Sequence, residues 1–477
     1  MADRNDLSRC GCVGVLVCLL VALLAGADPP ARAAPLFNLV FTVNDTADVV
    51  AAAPLTDGIC DIPAGAGLCT LRAAIMKANH YNFGSVTINL PALPPGGSYL
   101  LTIAPTGSDD EKTGDLNVIA SIGRPSLTIA GGGAANTVIN ASGMVPGDRV
   151  LSIAVGASVT ISGVTFEGGQ RLGVAGGINN AGTLTLNNST VISNTTDGDG
   201  GGILNEGMLA LNGSTVTGNT AGASSGGIYN QNSLSLNGST LSNNHANNGG
   251  GIRNDKATMS VTNSAFANNT AHLGGGLYNF CATATIINST VSGNQSGTDG
   301  GGIANTSGCG ATLSVYNLTV ADNQAAVSGP GTGGGIANPP GATFNLVNTI
   351  LDGNGEGTGH FALASDCSGT LISQGYNLIS NMLNCTLTGS STGVITGTAA
   401  LLGPLRNNGG PTFTNALLPG SPAIDAGNPA GCADNLGATL HTDQRGAPRP
   451  ANGAGSTRCD IGAFELQRAL ELPLVLK

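Results

Sequence analysis

Acid–base chemistry on a sugar polymer needs two facing carboxylates, or calcium-binding carboxylates beside a basic proton acceptor. Such groups must recur on one face. The acidic residues in the middle of this chain are scattered instead: Asp197, Asp199, Glu206, Asp255, Asp299, Asp322 and Asp352. Asp197 and Asp299 occupy the same loop of different repeats. Basic residues there are few, chiefly Arg253 and Lys256. Aromatic residues, on which sugar rings stack, are only 3% of the chain. The run Asp109, Asp110, Glu111 and Asp115 reads as a solvated loop, with calcium binding as the alternative. No other cofactor is expected. Near the C-terminus, Asp425, Asp443, Arg445, Arg449, Asp460 and Glu465 mix signs as an active site would. Their terminal setting reads as ion pairs that close the fold. His245, His272, His360 and His441 lack a partner pattern and read as surface residues. The expectation is no catalytic or metal-binding residue and no enzyme. The alternative is a polysaccharide lyase or glycoside hydrolase, which a groove holding two carboxylates beside a basic residue would favour.

Composition narrows the partners. The formal charge is −11 over 477 residues, with four lysines, so nucleic acid is not expected as a partner. Glycine numbers 75 without a collagen period, and the apolar fraction of 41% is too high for a disordered chain. An ordered fold with many tight turns fits both.

Residues 1–35 read as an export signal. Arg4 and Arg9 precede an apolar run at 13–24, followed by Ala25-Gly26-Ala27 and Ala31-Arg32-Ala33 as cleavage candidates. The run is too short to span a bilayer, so the mature chain is expected to lack a transmembrane segment. Of 11 cysteines, three lie in this leader. The rest form local pairs: Cys60 with Cys69, Cys281 with Cys309, Cys367 with Cys385, and Cys432 with Cys459. Export together with an even cysteine set predicts disulfides.

The elements that must position any site come from a repeat at 176–354. Each unit opens with Gly-Gly and an apolar residue: Ile178, Ile203, Ile228, Ile252, Leu277, Ile303 and Ile336. Steps are close to 25 residues, except the last, which is 33. An asparagine follows two residues later (Asn180 to Asn338). Next comes a short alternating strand such as Leu184-Thr185-Leu186. Two residues on, the position is always Asn or Gly: Asn188, Gly213, Gly238, Asn263, Asn288, Asn317 and Asn348. A third apolar position follows, and three residues beyond it another asparagine (Asn194 to Asn354). Three short apolar segments per unit predict three strands per turn of a solenoid, each strand pairing with its equivalents above and below. The Asn/Gly position calls for a positive φ, which those residues adopt at least cost. Asparagines in register predict amide ladders. The fold class is all-β: a right-handed, three-faced parallel β-helix with a small α/β N-terminal cap, the handedness following the crossover rule. Earlier strands are expected at 126–129, 137–140, 150–153, 158–161 and 164–166, and an irregular later turn at 362–398.

A solenoid needs capped ends. Residues 36–90 supply a strand at 39–43, the Cys60/Cys69 loop and a helix at 70–79. Thr70 is the N-cap, and Leu71, Ala74, Ile75 and Ala78 lie on one face. The run Asp57-Gly58-Ile59-Cys60-Asp61, then Cys69-Thr70-Leu71-Arg72-Ala73-Ala74-Ile75 with Ala78-Asn79, resembles the CSLREA domain, with Ala73 where that motif has Glu. At the other end, Leu402-Gly403-Pro404-Leu405, Asn408-Gly409-Gly410-Pro411, Ser421-Pro422-Ala423-Ile424-Asp425-Ala426-Gly427, Asp443-Gln444-Arg445-Gly446 and Cys459-Asp460-Ile461-Gly462-Ala463-Phe464-Glu465 resemble the choice-of-anchor Q domain. The repeat is similar to those of polymorphic outer-membrane proteins. These resemblances imply a bacterial envelope or extracellular location and an adhesin-like or structural role. An extracellular glycan or cell-surface component is the partner they suggest. The expected layout is a leader at 1–35, a cap at 36–90, the β-helix at 91–400, a C-terminal cap at 401–466 and a tail at 467–477.

Overall fold

A computed structural model describes residues 38–467 apart from 64, 108–109, 121–125, 329, 358–362 and 451–457. The expected leader, Asp109, His360 and the tail from 468 lie outside the described residues.

The first strand, β1 (Leu39–Thr42), pairs in parallel with β2 (Val86–Leu90). That pair already belongs to the main stack, because β2 pairs with Leu127–Gly131, and Leu127–Gly131 with Ser158–Ser162. From there the repeat coils stack in strict register. Ile178 lies opposite Ile203, then Ile228, Ile252, Leu277, Ile303 and Ile336. All seven are fully buried. Each fully buried aliphatic side chain of this size contributes roughly 1.5–3 kcal/mol. No single strand could bury such a face, so stability comes from stacking. The result is sheets of 22, 12 and 9 strands. Every pairing within the repeats is parallel; the short pair Gly355–Glu356 with Leu363–Ala364 is antiparallel.

The coils carry four strand segments, not three. In one coil they are Ile178–Asn180, Thr183–Asn187, Thr190–Ile192 and Thr195–Thr196. The first two ladders merge into the 22-stranded sheet through the long strand Cys367–Gln374, which pairs with both. The fourth ladder points small residues inward: Thr196, Ala221, Ala246, Ala271, Ser296 and Ala325, all buried.

The corners are left-handed. Asn188, Gly213, Gly238, Asn263, Asn288, Asn317 and Asn348 have φ between 46° and 58°. A second left-handed column stands at Ser193, Gly218, Asn243, Asn268, Gly293, Asp322 and Gly353. Just after it the buried asparagines stack: Asn244 Nδ2 donates to Asn269 Oδ1 (2.9 Å), and Asn269 Nδ2 to Asn294 Oδ1 (2.9 Å). The Gly-Gly pairs let coils close around this ladder. A Cβ on Gly202 would meet the Gly227 carbonyl oxygen at 2.7 Å and the Asn219 amide nitrogen at 3.0 Å. The ladder ends on a carboxylate: Asp366 Oδ1 accepts from Asn354 Nδ2 (2.9 Å), while its Oδ2 accepts from Ser380 and Asn381.

Helix α1 (Leu71–His80) starts at Thr70, whose hydroxyl accepts from Ala73 N–H and donates to the Val49 carbonyl. The expected single apolar face is corrected here: every residue from Leu71 to Asn79 is buried. Its charges are therefore paired. Arg72 holds Asp48 at 2.6 Å and donates to the carbonyls of Gly114 and Asp115. Lys77 reaches Asp57 at 2.7 Å.

The described residues between 400 and 466 run back along the corner column. Gln444 Nε2 donates to the Ser264 carbonyl, Asn288 Nδ2 to that of Thr442, Asn317 Nδ2 to that of Ala433, and Asn348 Nδ2 to that of Asp460. Thr290 and Thr319 are buried beneath this arm, whereas Thr190, Thr215 and Thr240 in the same ladder remain partly exposed.

Candidate functional site

The four disulfides form as paired from the sequence. Cys281 and Cys309 sit in equivalent loops of adjacent coils, with α-carbons 5.2 Å apart. Four disulfides fit an oxidising, extracellular environment. Among the described residues no helix is long and apolar enough to cross a membrane.

The described members of the charge clusters have partners within the fold. Asp110 caps its own loop, accepting from Lys112 and Thr113 N–H groups. Glu111 takes Asn79 and His80, and Asp115 faces Arg149 at 3.7 Å. The carboxylates of this run thus point to different partners, and no group of three ligands suited to a metal occurs among the described residues. At the C-terminal end, Arg445 pairs with Asp443 at 2.6 Å and lies 3.6 Å from the Phe464 ring centroid. Arg449 is buried against Glu465 at 3.1 Å. Asp460 accepts backbone N–H groups from Asp425 and Leu466. Burial, with Glu465 beside it, pushes the Asp460 carboxyl up to about 6. The folded state therefore binds this proton more tightly than the unfolded chain, whose carboxyl titrates near 3.8. Stability from Asp460 is complete below that value and is lost as pH rises through about 6. Relative to Asp460→Asn, the wild type should gain about 1–3 kcal/mol on acidification from pH 7 to pH 4. Paired melting curves across that window check this.

His245, His272 and His441 are exposed.

On the outer face of the first ladder the register builds a different object. Leu204, Tyr229, Arg253, Tyr278, Ala304, Ala337 and Ser368 stand in one column. Its first half is a tower. The Arg253 guanidinium lies 5.4 Å from the Tyr229 ring centroid, 5.5 Å from Tyr278 and 4.9 Å from Phe280. Asp255 accepts from Arg253 (2.8 Å) and from the Tyr229 hydroxyl (2.7 Å). Burial, then Asp255, push that hydroxyl up to about 12, so it stays a donor.

After Tyr278 the column turns small, and a groove of about 600 Å³ opens above it. The extra residues of the longest coil raise its sides. One insertion, between Asn305 and Thr312, carries Thr306 and Ser307 and is pinned by Cys281–Cys309. The other, between Ala325 and Ile336, carries Thr332, whose N–H and hydroxyl both donate to Asp299 Oδ1. Pro339 and Pro340 extend one wall, and Asn384, held by Glu356, closes the far end. The lining holds one carboxylate, Asp299, and no lysine, arginine or histidine. The sequence reading missed this groove; the 33-residue step from Ile303 to Ile336 was its signal.

A second groove, of about 710 Å³, lies at the start of the fourth ladder between Pro105, Pro146 and Leu172. It does hold two carboxylates and a base. Asp148 is ion-paired with Arg171 and accepts from Arg149 N–H, and Asp197 accepts from Gly173 N–H. Asp197 and Asp299 thus line separate grooves.

No protein-family model matches the chain, and no curated protein matches it. Among solved structures, that of pectate lyase Pel9A is similar over 91% of this chain and 97% of its own, with a TM-score of 0.50 and 13% identity. The chain is a parallel β-helix. At that identity the likeness is one of fold alone.

Proposed function

We propose that this protein is an exported scaffold, displayed at or released from the cell surface, whose role is adhesive or structural and not catalytic. One observation carries the reading: the groove of the longest coil presents a single carboxylate, already committed to Thr332, and no basic side chain. Acid–base catalysis needs two titratable groups set against each other. The leader-like start, the disulfides and the resemblance of the two ends to CSLREA and choice-of-anchor Q domains support an envelope or extracellular location. Purified residues 36–477 should release neither reducing ends nor unsaturated products from pectin, alginate or neutral polysaccharides, with or without calcium.

A second reading, cleavage of extracellular polysaccharide, draws on the other groove, where Asp148, Asp197 and Arg171 meet. There Asp148 is buried against Arg171, which leaves Asp197 as the one exposed carboxylate of that lining and favours the scaffold. Turnover abolished by Asp197→Asn, with an unchanged melting temperature, would establish the enzyme reading instead.

A further inference from the structure

We propose that the groove over Ala304, Ala337 and Ser368 binds a neutral oligosaccharide. This deepens the adhesive reading and rests on it.

The groove is a built feature. In the preceding coils the outer column holds the large side chains of Leu204, Tyr229, Arg253 and Tyr278. Here two insertions rise from the same coil on opposite sides of a floor of small residues. A disulfide fixes one wall, and the Asp299–Thr332 contacts fix the other. Holding a site rigid before the ligand arrives reduces the ordering cost of binding. Its volume of about 600 Å³ lies within the range of small-molecule sites, roughly 300–1,000 Å³.

Its chemistry selects the ligand. Leu273 and the two prolines offer apolar surface around a floor of buried Ala304 and Ala337, which suits the C–H faces of pyranose rings. Tyr278 closes the end next to the tower, where Arg253 and the neighbouring rings hold it in place. Hydroxyls of Ser307 and Ser368 and the Asn384 amide both donate and accept, as sugar hydroxyls do, and the Thr306 hydroxyl, which donates to the Asn279 carbonyl, can accept. Charge excludes the acidic alternatives. A uronate or phosphate would meet Asp299 with no cation in the lining to balance it. Arg253, which lies against Tyr278, is already neutralised by Asp255 at 2.8 Å. The whole chain, at −11, repels polyanions as well.

The test is calorimetry on purified residues 36–477 with cellohexaose, xylohexaose, mannohexaose and chitohexaose, and with hexagalacturonate as the acidic comparison. At least one neutral hexasaccharide should bind, and hexagalacturonate should not. Filling the groove by Ala337→Trp, or crowding its rim by Ser307→Trp, should each weaken binding at least tenfold. Thr215→Trp, on another sheet, should leave binding unchanged, and melting temperatures verify that all three variants fold. Tighter binding of hexagalacturonate, no binding of any neutral sugar at millimolar concentration, or binding indifferent to both groove variants would overturn the proposal. Hydrolysis of a bound neutral sugar would instead overturn the non-catalytic reading while leaving the groove as its site.

Discussion

Arg449→Met should destabilise the protein by about 3–5 kcal/mol, the usual cost of removing one partner from a buried ion pair. Arg449 is fully enclosed. It donates to Glu465 (3.1 Å), to the Gly462 carbonyl (2.7 Å) and to Asn288 Oδ1 (3.3 Å) in the coil stack. Deleting it strands the Glu465 carboxylate beside Asp460. The loss should begin in the arm, since Arg449 joins residues 443–465 to the corner column. Hydrogen exchange should therefore quicken across 400–466 before it quickens in the coils. The double variant Arg449→Met with Glu465→Gln should recover part of the loss, because no buried charge is left unpaired. Arg406→Met, at an exposed position, should change stability little.

Asn269→Leu should cost about 3–6 kcal/mol, since four buried polar groups each lose a hydrogen bond and a buried group left unsatisfied costs about 1–3 kcal/mol. Asn269 Oδ1 accepts from both the backbone N–H and the Nδ2 of Asn244, at 3.1 and 2.9 Å. Its Nδ2 donates to the Leu241 carbonyl at 3.0 Å. Leucine is close in size, so the cost comes from unsatisfied groups and not from a cavity. Asn269→Asp should also destabilise, because a carboxylate cannot donate onward to Asn294. Asp366 tolerates that chemistry at the end of the ladder, where Ser380 and Asn381 supply donors instead. Chemical denaturation of the three forms checks the order, with wild type most stable.

The coil register was legible because large apolar residues recur near every 25 positions and leave one consistent stacking. The same regularity exposed the Asn/Gly corner and the asparagine ladders, and closeness in sequence paired the cysteines. The fourth ladder was not legible, since Thr196, Ala221 and Ala271 are buried yet too small to stand out from loop residues. Ser193 and Asp322 hid the second left-handed corner, because they break the run of Asn and Gly that marks such a turn. Arg72 and Lys77 lie off the expected face of Leu71, Ala74, Ile75 and Ala78; only the fold places Asp48 and Asp57 over them. The returning arm joins residues such as Gln444 and Ser264, 180 positions apart, and no local pattern records such a contact. The groove was half visible. Its walls appear as a long repeat, but its floor exists only once Ala304, Ala337 and Ser368 fall into one column.

Stoichiometric incubation of residues 36–477 with the same neutral and acidic hexasaccharides, followed by mass spectrometry of the recovered sugar, asks directly whether the scaffold holds a glycan without cutting it. Binding to at least one neutral hexasaccharide, with every sugar recovered at its original mass after a day, is the result expected. Shortened chains, whether hydrolysed or carrying the unsaturated end of an elimination, would contradict it.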